Sequence, residues 1–298
     1  MTPLSDYQFD VGGMVIGTGT LLPVSEVTGL GAPELRTADV DNPTDDGGFP
    51  GVDLFGMRTV QIEAGIRTPA DPAAGLDLLA RLQQVTGADS IRKTAGARAM
   101  LRTKLPGRDT KCLFGRWQRV EPVSMAQAVY GWIPMLLEFA ATDPRWHADQ
   151  VQSLVLPLDI SDDSQGFTAP VVAPITTGVS HPSERPGWVA NNGDVATWPT
   201  VRFEGPVTNP KVWIVETGRY LELQTSLAAG EWIDIETRPG TRWVLRNGTG
   251  NAAPVLTSGS RMDLFQIPPK TSEIRWTATD YTNTCRLTVS WRDAYTGL

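Results

Sequence analysis

The chain has 298 residues, 41% of them apolar and 20% charged, which suffices for one large domain or two ordinary ones with buried cores. With 33 acids against 26 bases the net charge is -7, which argues against gripping nucleic acid through its phosphates. The two cysteines, Cys112 and Cys285, lie far apart without metal-ligand spacing, so zinc is not expected and both read as buried thiols.

The start, "MTPLSDYQFDVGG", lacks the basic and apolar regions of a signal peptide. No apolar run approaches the roughly 20 residues that cross a bilayer, so the chain reads as soluble and not membrane-inserted. "MVIGTGTLLPVSEVTGL" mixes β-branched residues with glycine, as strands and turns do. Next comes "TADVDNPTDDGGFPGVDLFG", residues 37–56, with five carboxylates and four glycines. A calcium loop of the EF-hand type needs acids at positions 1, 3 and 5, glycine at 6 and glutamate at 12. Counting from Asp39 puts Pro43 fifth and Pro50 twelfth; counting from Asp41 puts Pro43 third and Val52 twelfth. The stretch therefore reads as a polar β-connection with turns at Asn42-Pro43 and Asp46-Gly47-Gly48.

Val60, Ile62 and Ile66 alternate with polar neighbours in "MRTVQIEAGIRT", residues 57–68, as in a half-buried strand. A helix is predicted over 72–86, with Asp71 as N-cap, Pro72 at the first position and Gly87 after the end. Leu78, Leu79, Leu82 and Val85 form its apolar stripe. Strands resume in "ARAMLRTKL", "KCLFGRWQRVEPV" and "GWIPMLLEFAATDPRW". The first part is thus an α+β domain, β-rich with one helix.

Residues 159–197 are rich in Pro, Gly, Ser, Asp and Asn and read as connecting loops, with one short strand at Val171–Val172. From about Trp198 short alternating strands separated by Gly, Pro and Asn indicate an all-β sandwich of jelly-roll type. The expected domains are 1–160, a linker at 161–197, and 198–298. It stays open whether "TCRLTVSWRDAY" completes the sandwich or returns to the first sheet.

Chemistry leaves little. His147 follows "DPRW" and His181 lies in the linker, and no serine or cysteine has an activating context. The carboxylate pairs Asp162/Asp163 and Asp234/Glu236, with Glu231 nearby, offer the raw material of a glycosidase. Asp234 and Glu236 alternate with Ile233 and Ile235, which puts them on the wet face of a strand. "GTGTLLPV" lacks the third glycine of a phosphate loop, and Asn247-Gly248-Thr249 reads as a turn. Trp213, Trp243, Trp276 and Trp291 are expected in the core, whereas Trp188 and Trp198 are the candidates for stacking on sugar. No catalytic residue, cofactor or metal is assigned.

Several stretches together resemble the distal tail proteins of siphophages, the Dit-like minor tail proteins of actinobacteriophage type. They are "TADVDNPTDDGGFPGVDLFGMRTVQIEAGI", "DPAAGLDLLARLQQ", "LLEFAATDPRWH", and a later block carrying "GD-x-x-TWP", "GPVTNP" and "L-x-x-GE-x-x-x-I-x-T". The resemblance implies a structural virion protein of the tail tip, or baseplate. Its N-terminal domain would form a homohexameric ring that joins the tail tube protein to the tail-tip hub and other minor tail proteins and lets DNA pass. Its C-terminal sandwich would be galectin- or carbohydrate-module-like. The alternative is a carbohydrate-binding module for host-surface attachment. Under the ring reading Asp39, Asp41, Asp45, Asp46, Arg58 and Arg67 are candidate subunit-interface or lumen residues, with the arginines pairing across subunits to the carboxylates.

Overall fold

A computed structural model describes residues 2–158, 187–282 and 284–298. The chain divides into two compact units: Met1–Asp149 with Ala294–Leu298, and Gln150–Asp293. The boundary falls at 149/150, because strand Gln152–Pro157 pairs with Arg286–Trp291 inside the second unit. Most of the expected linker, with Asp162, Asp163, Val171–Val172 and His181, lies outside the described residues. Its end is strand Trp188–Asn191.

The first unit is built on one large antiparallel sheet. Its path runs Met14–Gly17, Gln8–Val11, Ala99–Lys104, Lys111–Pro122, Trp132–Ala141, Arg58–Arg67 and Val24–Thr28. Strand Arg58–Arg67 alternates as expected, with Val60, Ile62 and Ile66 fully buried, and it pairs over its whole length with Trp132–Ala141. The helix is Pro72–Thr86. Asp71 accepts hydrogen bonds from the amides of Ala73 and Ala74, and Leu79 and Leu82 are buried, with Leu78 and Val85 packed at the margin of the core. Gly87 ends the helix at φ -91°, so its cap is not left-handed.

The last two long-range pairings fall in different units. Arg286–Trp291 completes a six-stranded sheet of the second unit, and Ala294–Tyr295 pairs with Trp146–Ala148 in the first. The remaining strands of that six-stranded sheet are Gln152–Pro157, Thr200–Glu204, Trp232–Glu236, Trp243–Arg246 and Gly250–Asn251. A four-stranded sheet runs Trp188–Asn191, Lys270–Thr277, Lys211–Ile214 and Tyr220–Glu222. Both sheets contribute to one apolar core, with Phe203, Phe265, Ile233 and Leu287 at its centre. Trp276 and Trp291 join it, but Trp213 is half-buried and Trp243 is exposed, contrary to expectation. Their strands alternate in the opposite phase: Val212, Ile214 and Val244 hold the inward positions.

Candidate assembly interface

Between strands Val24–Thr28 and Arg58–Arg67 the chain leaves the sheet as an arm, residues 31–57. It doubles back on itself through two short ladders, Leu35–Arg36 with Leu54–Phe55 and Val40–Asp41 with Gly48–Phe49. Leu35 faces Phe55 and Val40 faces Phe49 across these ladders, so two apolar cross-strand pairs form. Phe49 is 60% exposed and Val52 75%, and Leu35, Val40, Leu54 and Phe55 are exposed as well. Exposed apolar side chains concentrated in one segment are the usual signature of a docking surface, which makes the arm the candidate.

Two of the arm's carboxylates and Asn42 are used locally. Asp39 accepts from the Gly51 amide at 2.8 Å, Asp45 from the Asp46 amide at 2.8 Å, and Asn42 from the amide and hydroxyl of Thr44. These side-chain-to-backbone bonds fix the turns of a segment that has no core of its own. Among the described residues no group of three or more His, Cys, Asp or Glu side chains is placed to hold a metal ion.

Arg58 contradicts the expectation of a surface residue pairing across subunits. It is 2% exposed and donates to the carbonyls of Pro144 (2.9 Å), Leu30 (3.1 Å), Gly31, Gly29 (3.2 Å) and Thr296 (3.4 Å). Its guanidinium lies 5.3 Å from the Trp146 ring centre, and burial pushes its pKa below the ordinary value. Arg58 is therefore a clamp at the base of the arm. Beside it Gly29 has φ +81°, and a Cβ there would stand 1.9 Å from the Thr59 carbonyl oxygen, so only glycine fits. Arg67 is exposed at the other end of the same strand.

Sequence reasoning also missed a buried ionic cluster. Arg102 donates to Asp10 at 2.8 Å and to both oxygens of Asp149 at 2.7 and 2.5 Å. The paired carboxylates, Asp149 first, raise the arginine's pKa against the effect of burial. Neither strand alternates cleanly, and only the register places Asp10 opposite Arg102.

In the second unit Asp234 and Glu236 are nearly buried rather than solvated. Arg202 grips Asp234 with two bonds of 2.6 and 3.0 Å, and Glu236 accepts from the Arg238 amide and the Thr200 hydroxyl. Glu231 is likewise held, by Arg246 at 2.5 Å and the Ala228 amide. Trp198, a candidate for sugar stacking, is only 8% exposed, because its neighbours Thr197 and Pro199 are tied down by bonds to the Arg292 carbonyl and from the Thr237 hydroxyl. Trp188 is 42% exposed.

Residues 192–295 match the family of the siphovirus-type tail component, C-terminal domain. That match falls within the second unit and its junction with the last strand, and it is a likeness of this part of the chain alone. Over the whole chain the fold is Dit-like. It is similar to the crystal structure of the SPP1 Dit protein, gp 19.1, described as a paradigm of the hub adsorption apparatus of phages that infect Gram-positive bacteria. There the TM-score is 0.57 at 12% identity, covering 96% of this chain and 98% of that one. A chain of the phage P2 baseplate in its activated conformation with calcium gives 0.56 at 12% identity over 95% and 97%, and the strontium form gives 0.54. Among curated protein sequences none matches. The tail-component match contains all three quoted elements: Gly193 to Pro199, Gly205 to Pro210, and Leu227 to Thr237.

Proposed function

We propose that this Dit-like protein is a structural, non-catalytic component of the phage tail tip. It assembles through its N-terminal unit into a homohexameric ring that joins the tail tube to the tip complex and lets DNA pass. The observation that carries the reading is the arm: a self-paired β-ladder with large apolar side chains in solvent, on a chain whose fold spans that of SPP1 Dit. The arm carboxylates, among them Asp39, Asp41, Asp45 and Asp46, then face neighbouring subunits or the lumen, where negative charge keeps DNA from adhering. Light scattering on the purified chain tests this: an assembly of about six copies supports it, and a monomer at high concentration refutes it.

A second reading has one observation in its favour. Lys211, Trp213, Gly218, Tyr220 and Thr277 line a depression of about 400 Å³ on the four-stranded sheet, and the Lys211 ammonium sits 4.3 Å from the Tyr220 ring centre. Two adjacent aromatic faces with a polar rim suit a sugar ring. Glycan binding by the full chain that Trp213→Ala abolishes would support it; equal binding by that variant would remove it.

A further inference from the structure

Strand Lys111–Pro122 loses one of its neighbours part-way along. Its pairing with Ala99–Lys104 ends at Gly115, whereas its pairing with Trp132–Ala141 runs on to Pro122. Among the described residues no strand lies along the other edge of residues 116–122, so that edge has no ladder partner. The register shifts between Trp117 and Arg119, which leaves Gln118 as the extra residue of a bulge. Trp117 pairs with Phe139 and Val120 with Leu137, both fully buried. The bulge therefore keeps Trp117 and Val120, three positions apart, on the core face, where strict alternation would separate them. Arg116 and Arg119, paired with Ala140 and Glu138, take the opposite phase.

The same residues line a groove of about 300 Å³. Trp117, Val120 and Ile91 form its apolar side at the margin of the core, with Trp117 edge-on to Phe139 at 4.9 Å. The buried indole N–H of Trp117 meets no acceptor among the described residues, an unmet donor beside the groove. Arg92, Arg116 and Arg119 form its polar side, and among the described residues no acidic side chain lines it. Arg92 and Arg119 are paired on the surface with Asp89 and Glu121, and such pairs cost little to exchange. Arg116 donates to the carbonyls of Thr94 at 2.9 Å and Ala97 at 3.2 Å and has no carboxylate partner among the described residues.

Bulges and charges also guard an edge against unwanted strands. Here the guard along the groove has one sign, so it turns away basic segments and admits acidic ones. We infer that residues 117–121 accept an added strand from a partner protein, an extended segment that alternates apolar and acidic side chains. Its apolar side chains lie on Trp117, Val120 and Ile91, and its carboxylates meet the three arginines. Main-chain bonds to the open edge give affinity, and the arginines select the sequence.

The test adds a fluorescent peptide of four Glu-Val repeats to the full chain and reads anisotropy and amide hydrogen exchange. Saturable binding at about 100 μM or tighter is expected, with slowed exchange at residues 117–121. A peptide of four Lys-Val repeats should bind at least about tenfold more weakly. Arg92→Gln with Arg119→Gln, both on exposed side chains, should weaken the Glu-Val peptide about tenfold and leave the melting temperature within about 2 °C. No saturable binding up to about 1 mM, equal binding of the two peptides, or binding without protection at 117–121 would overturn the inference. Residues 117–121 already protected in an assembly of this chain alone, with no uptake of peptide, would overturn it too and give the edge to a contact between copies.

Discussion

Replacing Arg58 by alanine separates a clamp from a surface contact. The side chain bridges the carbonyls of residues 29–31 at the root of the arm, Pro144 and Thr296, three segments distant in sequence. Its removal strands at least three acceptors, at about 1–3 kcal/mol each when buried and unmet. Release of a desolvated charge without a carboxylate partner offsets part of this, because burial already disfavours the cation. A net loss of about 3–5 kcal/mol follows. At about 2–4 °C per kcal/mol for a unit of this size, the N-terminal unit should melt about 10 °C lower. Scanning calorimetry reads this directly. Limited proteolysis should show faster cleavage near residues 29–31, since the arm root loses its anchor. Arg58→Lys should recover little, because one ammonium cannot span carbonyls that a planar fork bridges. An Arg58→Ala variant that melts within about 2 °C of the parent but fails to assemble would refute the clamp and restore Arg58 to an interface role.

Other consequences can be measured with the same tools. Deleting residues 294–298 removes the strand beside Trp146–Ala148, and with it the Gly297 carbonyl and Tyr295 ring that engage Lys111, so the N-terminal unit should lose about 2–4 kcal/mol; an unchanged melting curve would refute this. Asp10→Ala should cost about 1.5–3 kcal/mol, the loss of one charged hydrogen bond, because Arg102 keeps Asp149; a loss below about 1 kcal/mol would show the cluster to be slack. Burial raises the Asp143 pKa, but the 3.0 Å bond to His147 and the Arg145 amide outweigh it, so the carboxyl titrates below its ordinary range. A group depressed on folding stabilises above its unfolded value, about 4, and loses that contribution as pH falls through the folded value. Denaturant melts at pH 6 and pH 3 should therefore show a loss that Asp143→Asn lacks; identical pH dependence in both proteins contradicts it.

Much of the fold was legible because its signals are local. Asp71-Pro72 and the Leu79/Leu82 stripe specify the helix, and Val60, Ile62 and Ile66 specify the face of the central strand. The division of "TCRLTVSWRDAY" into two strands was not legible, since only register shows that Arg286–Trp291 and Ala294–Tyr295 belong to different sheets. At the candidate interface, the calcium pattern fails in sequence, and the structure gives the loop its form: an Asx turn at Asn42 and a bond from the Gly51 amide to Asp39 that ties the two sides of the arm. Arg58 was misread because a charged residue after a polar loop looks solvated; carbonyl groups contributed by residues up to 238 positions away bury it instead. Asp234 was misread for a related reason: alternation put it outward, but cross-strand Arg202 covers it. Trp213 and Trp243 failed in the opposite direction, since their bulk suggested core while Val212 and Val244 occupy it.

The most direct test of the central claim is negative-stain electron microscopy of the purified full chain. Closed rings with a central opening, seen as six-fold class averages, are the predicted result. Particles of single-chain size at concentrations where the exposed arm has partners available would contradict it.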